Sequence, residues 1–321
     1  MNKIIFGIIG LTYRCNARCF MCHTWQYPSK RNEEIDIDII SRLPYISVLN
    51  ITGGEPFLRD DLEDIISILN KKSKRIVIST NGFFTNRIIK LAQKFPDIGI
   101  RISIEGLPKT NDELRGIKDG FDKGIRTLIE LKAMGLKDIG FGITISDKNI
   151  FDLLPLYRLA KFINVEFATA IIHNSYYFHK YDNEIKNKET IVNELKKLID
   201  ELFRSKRVKD WYRAYFNYGI INYIGGNRRL MPCEMGFSSF YIDPFGEIMP
   251  CNVIEESMGN LKEKSFEKIW NGKEAEIIRE LIKNCSKNCW MIGNVGEIMK
   301  KHIGTPTKWI VKKKILRQCI C

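Results

Sequence analysis

Histidine is scarce in this 321-residue sequence, cysteine is absent over most of its length, and long apolar runs are missing. The longest apolar run, residues 4–11, has about eight residues, whereas a membrane-spanning helix needs about 20. The amino terminus also lacks the charged start, apolar stretch and small-residue cleavage site of a secretory signal. These absences predict a soluble, cytoplasmic protein.

The composition excludes a disordered chain, because 44% of the residues are hydrophobic and 11% are aromatic. The 51 Lys and Arg residues exceed the 38 Asp and Glu residues, which gives a formal charge of +13. This excess favours acidic partners, namely an electron-donor protein such as a ferredoxin or flavodoxin, a phosphorylated substrate, or RNA. The sequence shows no clear nucleic-acid motif. We expect the basic stretch around Trp309 to be a solvated helix end rather than a membrane contact.

Nine cysteines are confined to the two ends of the chain, and residues 23–232 contain none. Disulfide frameworks belong to short secreted chains, whereas spaced cysteines in a reducing compartment more often hold metal. The pattern therefore predicts metal sites. The clustered cysteines are Cys15, Cys19 and Cys22; Cys233 and Cys251; Cys285 and Cys289; and Cys319 and Cys321.

Apolar strand-like runs alternate with amphipathic helical stretches over the first two-thirds of the chain, a pattern typical of βαβ units and a parallel sheet. About six β/α repeats are predicted, and a glycine-rich basic stretch at 225–229 marks a boundary between domains 1–225 and 226–321. Residues 181–188 are predicted to form a loop. The predicted strands are 4–11, 48–52, 75–79, 99–104, 139–145 and 165–170, and the predicted helices are 36–43, 61–70, 85–94, 121–134, 152–162 and 189–206.

The first three cysteines follow the end of the first predicted strand with the spacing C-x3-C-x2-C. Soft thiolates at short spacing select zinc or an iron–sulfur cluster. His23 could complete a four-ligand zinc site, but its adjacency to Cys22 strains that geometry. Three thiolates on a cubane instead leave one iron open, and an open coordination position indicates chemistry rather than scaffolding.

This spacing at the end of the first strand of a β/α series resembles the radical S-adenosylmethionine (SAM) superfamily. The resemblance implies a partial (β/α)6 TIM-like barrel in which the three thiolates hold a [4Fe–4S] cluster and SAM chelates the fourth iron. It also implies that a low-potential cluster cleaves SAM to a 5′-deoxyadenosyl radical, which abstracts hydrogen from the substrate. Family members often have an aromatic residue before the third cysteine. Here it is Met21, whose backbone is expected to face adenine.

Residues at later strand ends extend the resemblance. The sequence TGGEP at 52–56 resembles the family's GGEP loop, in which glycine backbone and the acid receive the methionine ammonium. Bare backbone lets a ligand approach closely, and a carboxylate pairs with a cation. For the two later Asn-Gly and Glu-Gly pairs, ordinary turns are the alternative. The cofactor-binding residues implied by the resemblance are Met21, Gly53, Gly54, Glu55, Ser79, Asn81, Ser103, Glu105 and Thr144.

The sequence YIDPFGEIMPC, which ends at Cys251, resembles the start of a SPASM or twitch extension and contains a hairpin-like turn. The resemblance implies a small C-terminal domain with one auxiliary [4Fe–4S] cluster, for which a zinc site is the alternative. A four-thiolate cluster is closed and suits electron transfer or structural pinning. Cys319 and Cys321 are either frayed terminal thiols or a cluster ligand or hydrogen donor. The implied auxiliary ligands are Cys233, Cys251, Cys285 and Cys289.

The leading hypothesis is a radical SAM enzyme, of the oxidoreductase or epimerase type, acting on a sugar-like or other small molecule that is acidic or phosphorylated. The alternatives are an enzyme that modifies peptide side chains and a non-enzymatic iron–sulfur or zinc-binding protein. The small molecule is favoured because the barrel starts at residue 4, with no peptide-recognition domain before it. His173, just past the sixth strand, is the candidate general acid or base, and a solvated loop residue is the alternative.

Overall fold

Nine strands form one mixed sheet in the computed structural model, which describes residues 4–315. Strands β1 to β6 run parallel in the spatial order β6-β5-β4-β3-β2-β1. This confirms the predicted parallel β/α architecture with six repeats. The strands are β1 (Phe6–Gly10), β2 (Ile46–Thr52), β3 (Ser73–Thr80), β4 (Gly99–Ser103), β5 (Ile139–Ile145), β6 (Glu166–Ile171), β7 (Ser239–Ile242), β8 (Glu247–Met249) and β9 (Gly259–Asn260).

The helices alternate with the parallel strands and then continue into the C-terminal region. The second helix, predicted at 61–70, is amphipathic as expected, because Leu62, Ile65, Ile66 and Leu69 are all buried. The helices are α1 (Ile37–Ser41), α2 (Leu62–Asn70), α3 (Thr85–Lys94), α4 (Pro108–Arg115), α5 (Gly120–Ala133), α6 (Leu153–Phe162), α7 (Lys188–Arg204), α8 (Val208–Ile224), α9 (Phe266–Trp270), α10 (Lys273–Lys283), α11 (Ile292–Lys301) and α12 (Gly304–Ile310).

The C-terminal region adds to the same sheet. Strand β7 pairs in parallel with β1, so that Phe6 lies opposite Ser239 and Ile9 opposite Ile242. The predicted hairpin follows, with β8 antiparallel to β7, and the Asp243 carboxylate accepts hydrogen bonds from the turn backbone. The sequence predicted a hairpin but not this pairing. The division at residue 225 stays a prediction.

Helices α4 and α8 were absent from the sequence-based prediction. The buried residues of α4 include two polar ones, Asn111 and Arg115, so the helix shows no apolar stripe. Asn111 Oδ1 accepts a hydrogen bond from the Glu105 backbone, which shows that this polar face binds the neighbouring loop. In α8 the buried Asn217 accepts a hydrogen bond from Thr169 on β6. The buried side of α4 is mainly polar, whereas α8 buries the consecutive residues Ala214, Tyr215 and Phe216, so neither helix shows the 3.6-residue apolar stripe that hydrophobic periodicity detects.

Trp309 packs inward. Its ring lies 4.9 Å from that of Tyr218 and 5.5 Å from those of Phe203 and Tyr215, which fixes α12 against α7 and α8. The ring is therefore not presented to a membrane surface. Within residues 4–315, no helix has the length and apolar character needed to cross a membrane.

Glu166 at the start of β6 is surrounded by cations. Its carboxylate pairs with Arg207 at 2.7 Å, with Lys209 at 3.1 Å and with Arg213. Burial alone would raise its pKa, but the charges of Arg213 and Lys209 outweigh burial and lower the pKa from 4.5 to about 2. The ionised Glu166 carboxylate therefore stabilises the folded state fully above pH 4.5, its pKa in the unfolded chain. This stabilisation is lost as the pH falls toward 2, where the carboxylate is protonated in the folded state as well.

We expect Glu166→Gln to lower the free energy of unfolding by about 1–3 kcal/mol at pH 7, because three cations lose their partner. The difference from the unsubstituted protein should shrink as the pH falls from 4.5 toward 2. Thermal unfolding followed by circular dichroism measures both effects. Glu130→Gln, which removes an exposed pair with Arg126, is the control and should cost about 0.5 kcal/mol or less. Equal losses in both variants would contradict the prediction.

Candidate active site and second cysteine site

The first three cysteines lie in the cysteine loop, residues 11–22, which follows the carboxyl end of β1. Burial raises the pKa of Cys15 to about 12 and that of Cys19 to about 11, and the nearby thiol of Cys19 adds to the effect on Cys15. Within residues 4–315 no group of three or more His, Cys, Asp or Glu side chains is arranged to hold a single metal ion. A cubane places each thiolate on a different iron, so its ligands need not converge on one point.

Helix α4 supports the cysteine loop from one side. The Arg18 N–H donates to the Arg115 carbonyl at 2.8 Å, and the Phe20 N–H donates to the Leu114 carbonyl at 2.9 Å. Gly116 ends the helix in the left-handed conformation, with φ of 57°, and a side chain there would overlap Arg18. The free carbonyls at the end of α4 are thus used to hold the loop.

Residues 52–56, here called the glycine loop, pack against the cysteine loop. The Gly54 N–H donates to the Thr12 carbonyl at 2.6 Å, and the Glu55 N–H donates to the Arg14 carbonyl at 2.9 Å. A Cβ on Gly54 would overlap the Arg14 carbonyl. Position 54 therefore requires glycine because two backbones approach closely there. The sequence analysis had explained the glycine by close approach of a ligand instead.

Glu55 is fully buried, and its carboxylate is hydrogen-bonded to other residues of the protein. The carboxylate accepts hydrogen bonds from Thr80 Oγ1 and the Asn81 N–H, both at 2.8 Å, and from the Phe57 N–H at 3.2 Å. Burial raises its pKa, although these hydrogen bonds oppose the shift. Glu55 thereby ties the end of β2 to the end of β3, and its contact with an ammonium group stays a prediction.

Glu105 and Arg115 form a buried ion pair beside the cysteine loop. Arg115 Nη1 donates to Glu105 Oε1 at 3.3 Å, and the Thr144 N–H donates to Glu105 Oε2 at 2.6 Å. The pKa of Arg115 is raised because the charges of Cys19, Glu105 and other nearby acids outweigh its burial. Sequence reasoning missed Arg115, because a polar residue at the end of a polar helix carries no signal of its own.

The remaining predicted SAM-binding residues also lie on the carboxyl-end side of the sheet. Asn81 Nδ2 donates to Asn16 Oδ1 of the cysteine loop at 2.7 Å. Ser79 near the end of β3 donates to Asn50 at 3.0 Å, and Ser103 is the last residue of β4. The structure therefore brings these side chains to one edge of the parallel sheet, where such sheets place their active sites.

Met21 is buried beside Leu114 and Ile172, and its carbonyl accepts a hydrogen bond from Asn183 at 3.0 Å. The contact holds the residue before Cys22 in place. The Met21 side chain is thus part of the packing under the cysteine loop. Contact with adenine stays a prediction.

His173 lies in the loop after β6, and its side chain is half-buried there. Its Nδ1 lies 3.1 Å from the Ile171 carbonyl, and its ring packs 5.1 Å from that of Phe178. Burial lowers its pKa, which favours the neutral imidazole. A role as general acid or base stays a prediction.

Several buried polar atoms around the strand ends have no hydrogen-bond partner among residues 4–315. They include donors from the cysteine loop, α4 and the loops after β6, which is the mixture that a ligand with carboxylate, amine and hydroxyl groups would satisfy. Their presence fits SAM, and three nearby thiols fit an iron–sulfur cluster. These atoms are Asn16 Nδ2, Arg115 Nε, His173 Nε2 and Asn183 Oδ1, and Trp25 Nε1, His179 Nε2 and Trp309 Nε1 also lack partners within residues 4–315.

Four further cysteines come together from three segments of the C-terminal region. Burial raises the pKa of Cys251 to about 11, and the neighbouring Cys233 and Cys285 add to the shift. Burial likewise raises the pKa of Cys289 to about 12, with contributions from the same group. Four thiols in mutual electrostatic reach fit a closed cluster site. Cys319 and Cys321 lie outside the described residues.

A short loop links the two cysteine sites, and sequence reasoning did not predict it. Residues 175–180, here called the bridging loop, are closed by an antiparallel bridge between their ends. The His23 N–H donates to the Phe178 carbonyl at 2.7 Å on one side, and the Tyr177 N–H donates to the Asn252 carbonyl at 3.2 Å on the other. The two sites are thus joined through one segment.

Two family models match the chain. Residues 9–160 match the Radical SAM superfamily, and residues 233–290 match SPASM, an iron–sulfur cluster-binding domain. The chain therefore carries a radical SAM domain, followed by a C-terminal SPASM domain. These domains imply a [4Fe–4S] cluster that works with SAM, together with auxiliary cluster binding in the C-terminal region.

Two curated proteins illustrate what the chain is similar to. The chain is 31% identical over 159 residues to an Fe-coproporphyrin III synthase of Methanosarcina barkeri, covering 47% of this chain and 39% of that protein. It is 24% identical over 304 residues to the sporulation killing factor maturation protein SkfB of Bacillus subtilis, covering 89% of this chain and 68% of SkfB. The chain thus spans well under half of the first relative and about two-thirds of the second.

Among solved structures, SuiB of Streptococcus suis bound to S-adenosylmethionine superposes with a TM-score of 0.66. The sequences are 15% identical, and the match covers 86% of this chain and 68% of SuiB. At this identity the likeness establishes the fold. It agrees with the sheet and the C-terminal extension described above.

We expect Gly54→Ala to weaken SAM binding at least about tenfold, which corresponds to about 1.4 kcal/mol. The added methyl group would push the glycine loop away from the Arg14 carbonyl. Anaerobic equilibrium dialysis with labelled SAM measures the change. Gly304→Ala, where nothing lies within 4 Å of the new Cβ, is the control and should bind SAM normally. Unchanged affinity in Gly54→Ala would show that the loop contact does not shape the site.

Proposed function

We propose that this chain is a radical SAM enzyme that modifies the side chain of a peptide. The observation that carries the proposal is the likeness to SkfB, a maturation protein, because it covers 89% of this chain rather than the radical SAM domain alone. SuiB, with the same overall fold, has been solved bound to its precursor peptide SuiA. These findings support the peptide alternative better than the sugar-like small molecule.

The sheet supports access by a long substrate. Strand β6 pairs with β5 only, and β1 pairs with β2 and β7, so β6 and β1 are not joined within residues 4–315. An open sheet leaves the strand ends accessible from the side. A peptide can then reach them without being threaded through a closed ring.

In the proposed first site, Cys15, Cys19 and Cys22 hold the [4Fe–4S] cluster. When bound, the cluster supplies the electron that cleaves SAM to methionine and a radical that abstracts hydrogen from the substrate. The Arg115 guanidinium, whose Nε lacks a partner within residues 4–315, pairs with the SAM carboxylate. Burial of these groups excludes water from the reacting atoms.

The other predicted SAM-binding residues orient the cofactor. The glycine loop presents backbone to the methionine ammonium, and Glu55 holds that loop against β3. Polar side chains at the ends of β3, β4 and β5 then bind the ribose and adenine. The residues assigned to this role are Ser79, Asn81, Ser103, Glu105 and Thr144, with the Met21 backbone at adenine.

In the proposed second site, Cys233, Cys251, Cys285 and Cys289 hold one auxiliary [4Fe–4S] cluster. A closed cluster that is linked to the first site accepts an electron from the substrate radical, so we propose an oxidative modification rather than epimerisation. The positive charge of the protein favours an acidic one-electron donor such as a ferredoxin or flavodoxin. A cytoplasmic location stays a prediction.

Two clusters predict about 8 iron atoms per chain after anaerobic reconstitution. Cys15→Ala should lower this to about 4 and abolish release of 5′-deoxyadenosine from SAM under dithionite. Cys251→Ala should also hold about 4 iron atoms but retain cleavage at saturating SAM, because the first site is intact. Iron analysis and chromatography measure both quantities. Bound zinc without SAM cleavage would instead support the non-enzymatic hypothesis.

The substrate class is tested by three probes given to the reconstituted protein with SAM and dithionite. They are the short peptides encoded beside its gene, a UDP-hexose, and coproporphyrin III. We expect a peptide to increase 5′-deoxyadenosine formation and to change in mass by loss of hydrogen. Stimulation by the sugar nucleotide alone would restore the small-molecule hypothesis, and stimulation by the porphyrin alone would favour the synthase-like function.

A further inference from the structure

The backbone of Tyr177 in the bridging loop touches both cysteine sites. Its N–H donates to the carbonyl of Asn252, the residue after Cys251, at 3.2 Å. Its carbonyl accepts a hydrogen bond from Thr24 Oγ1 at 3.0 Å, and the same Thr24 Oγ1 lies 3.1 Å from Cys22 Sγ. One residue therefore connects the loop of the second site to a thiol of the first.

The side chain of Tyr177 reaches a third element. Its hydroxyl donates to the Gly53 carbonyl of the glycine loop and lies 3.2 Å from Thr52 Oγ1. The residue is 8% exposed, and its ring lies 6.4 Å from that of Tyr13 and 5.4 Å from that of Tyr241. Close packing prevents the ring from moving independently of its backbone. A shift at the second site is therefore passed to the glycine loop.

We propose that Tyr177 is a positioning residue that couples occupancy of the second cysteine site to SAM binding at the first. Ligation of Cys251 fixes the adjacent Asn252 carbonyl, and Tyr177 then holds the Gly53 carbonyl in its binding position. When the second site is empty, Asn252 is free to shift and the glycine loop loses this support. The inference rests on the proposed function, since it requires SAM at the glycine loop and a cluster at Cys251.

The coupling is reciprocal, because two ligands that bias the same element change each other's affinity by the same factor. SAM bound at the glycine loop therefore also stabilises the second site in its ligated arrangement. The coupling operates through hydrogen bonds and packing in a contiguous chain of residues. The coupling requires no change in the residues that bind SAM or in the cysteines of the second site.

A double-mutant cycle tests the proposal, with SAM affinity measured by anaerobic equilibrium dialysis on the iron-loaded protein. Cys251→Ala should weaken SAM binding at least about fivefold. Tyr177→Phe, which removes only the hydroxyl and keeps the backbone contacts and the ring, should weaken SAM binding to a similar degree. The double variant should bind SAM as Tyr177→Phe does, because the link to Gly53 is already cut.

Tyr241→Phe is the matched control. Tyr241 is a fully buried tyrosine in contact with the Tyr177 ring, and its hydroxyl lies 3.5 Å from that of Tyr13 rather than at the glycine loop. In this background Cys251→Ala should retain its full effect on SAM affinity. Cys285→Ala provides a second way to empty the second site. Because Cys285 is exposed, this substitution disturbs the packing less than Cys251→Ala does.

Equal losses caused by Cys251→Ala with and without the Tyr177 hydroxyl would overturn the coupling while leaving the proposed function intact. The same conclusion would follow if neither cysteine substitution changed SAM affinity. If both cysteine variants fail to fold, the single tyrosine variants decide, and equal SAM affinity in Tyr177→Phe and Tyr241→Phe overturns the proposal. An unsubstituted protein that binds no SAM would refute the proposed function itself.

Discussion

The Gly54 N–H donates to the Thr12 carbonyl, the Glu55 N–H donates to the Arg14 carbonyl, and these two bonds join the glycine loop to the cysteine loop. They continue the parallel pairing of β1 with β2, which ends with Gly10 opposite Thr52. A strand register set by the hydrophobic core therefore fixes the position of both loops. Every proposed contact of SAM and the cluster depends on that alignment, since the two sets of groups lie on different loops.

Buried charge is the second constraint on the first site. Three thiols, Glu55 and Glu105 lie near one cation, Arg115, and burial raises the pKa of each of these acidic groups. Thiols in such surroundings stay protonated until a metal cluster replaces their protons, so cluster binding must release protons. Arg115 offsets part of the resulting negative charge. Helix α4 thus both supports the cysteine loop and supplies the charge that its ligands need.

The sequence alone predicts those parts of the site that carry chemistry in local patterns. The cysteine spacing, the TGGEP stretch and the alternation of strands and helices are all readable within a few residues, and the six parallel strands confirm the predicted architecture. Arg115 and Tyr177 could not be found in this way. The proposed role of Arg115 arises because α4 ends beside the cysteine loop, and that of Tyr177 arises because its loop meets residue 252. Both depend on contacts between segments distant in sequence.

The pairing of β7 with β1 was equally invisible, and it changes how the C-terminal region is understood. A small cysteine-rich module on a linker could move relative to the barrel, whereas β7 is hydrogen-bonded to the strand that leads into the first three cysteines. Cys251 of the second site follows the hairpin that β7 starts, so this cysteine lies close in sequence to a strand that pairs with β1. This pairing ties the segment that contains Cys251 to the parallel sheet. The proposed oxidative reaction uses the second cluster as its electron acceptor, and a fixed connection between the two sites is what that proposed role requires.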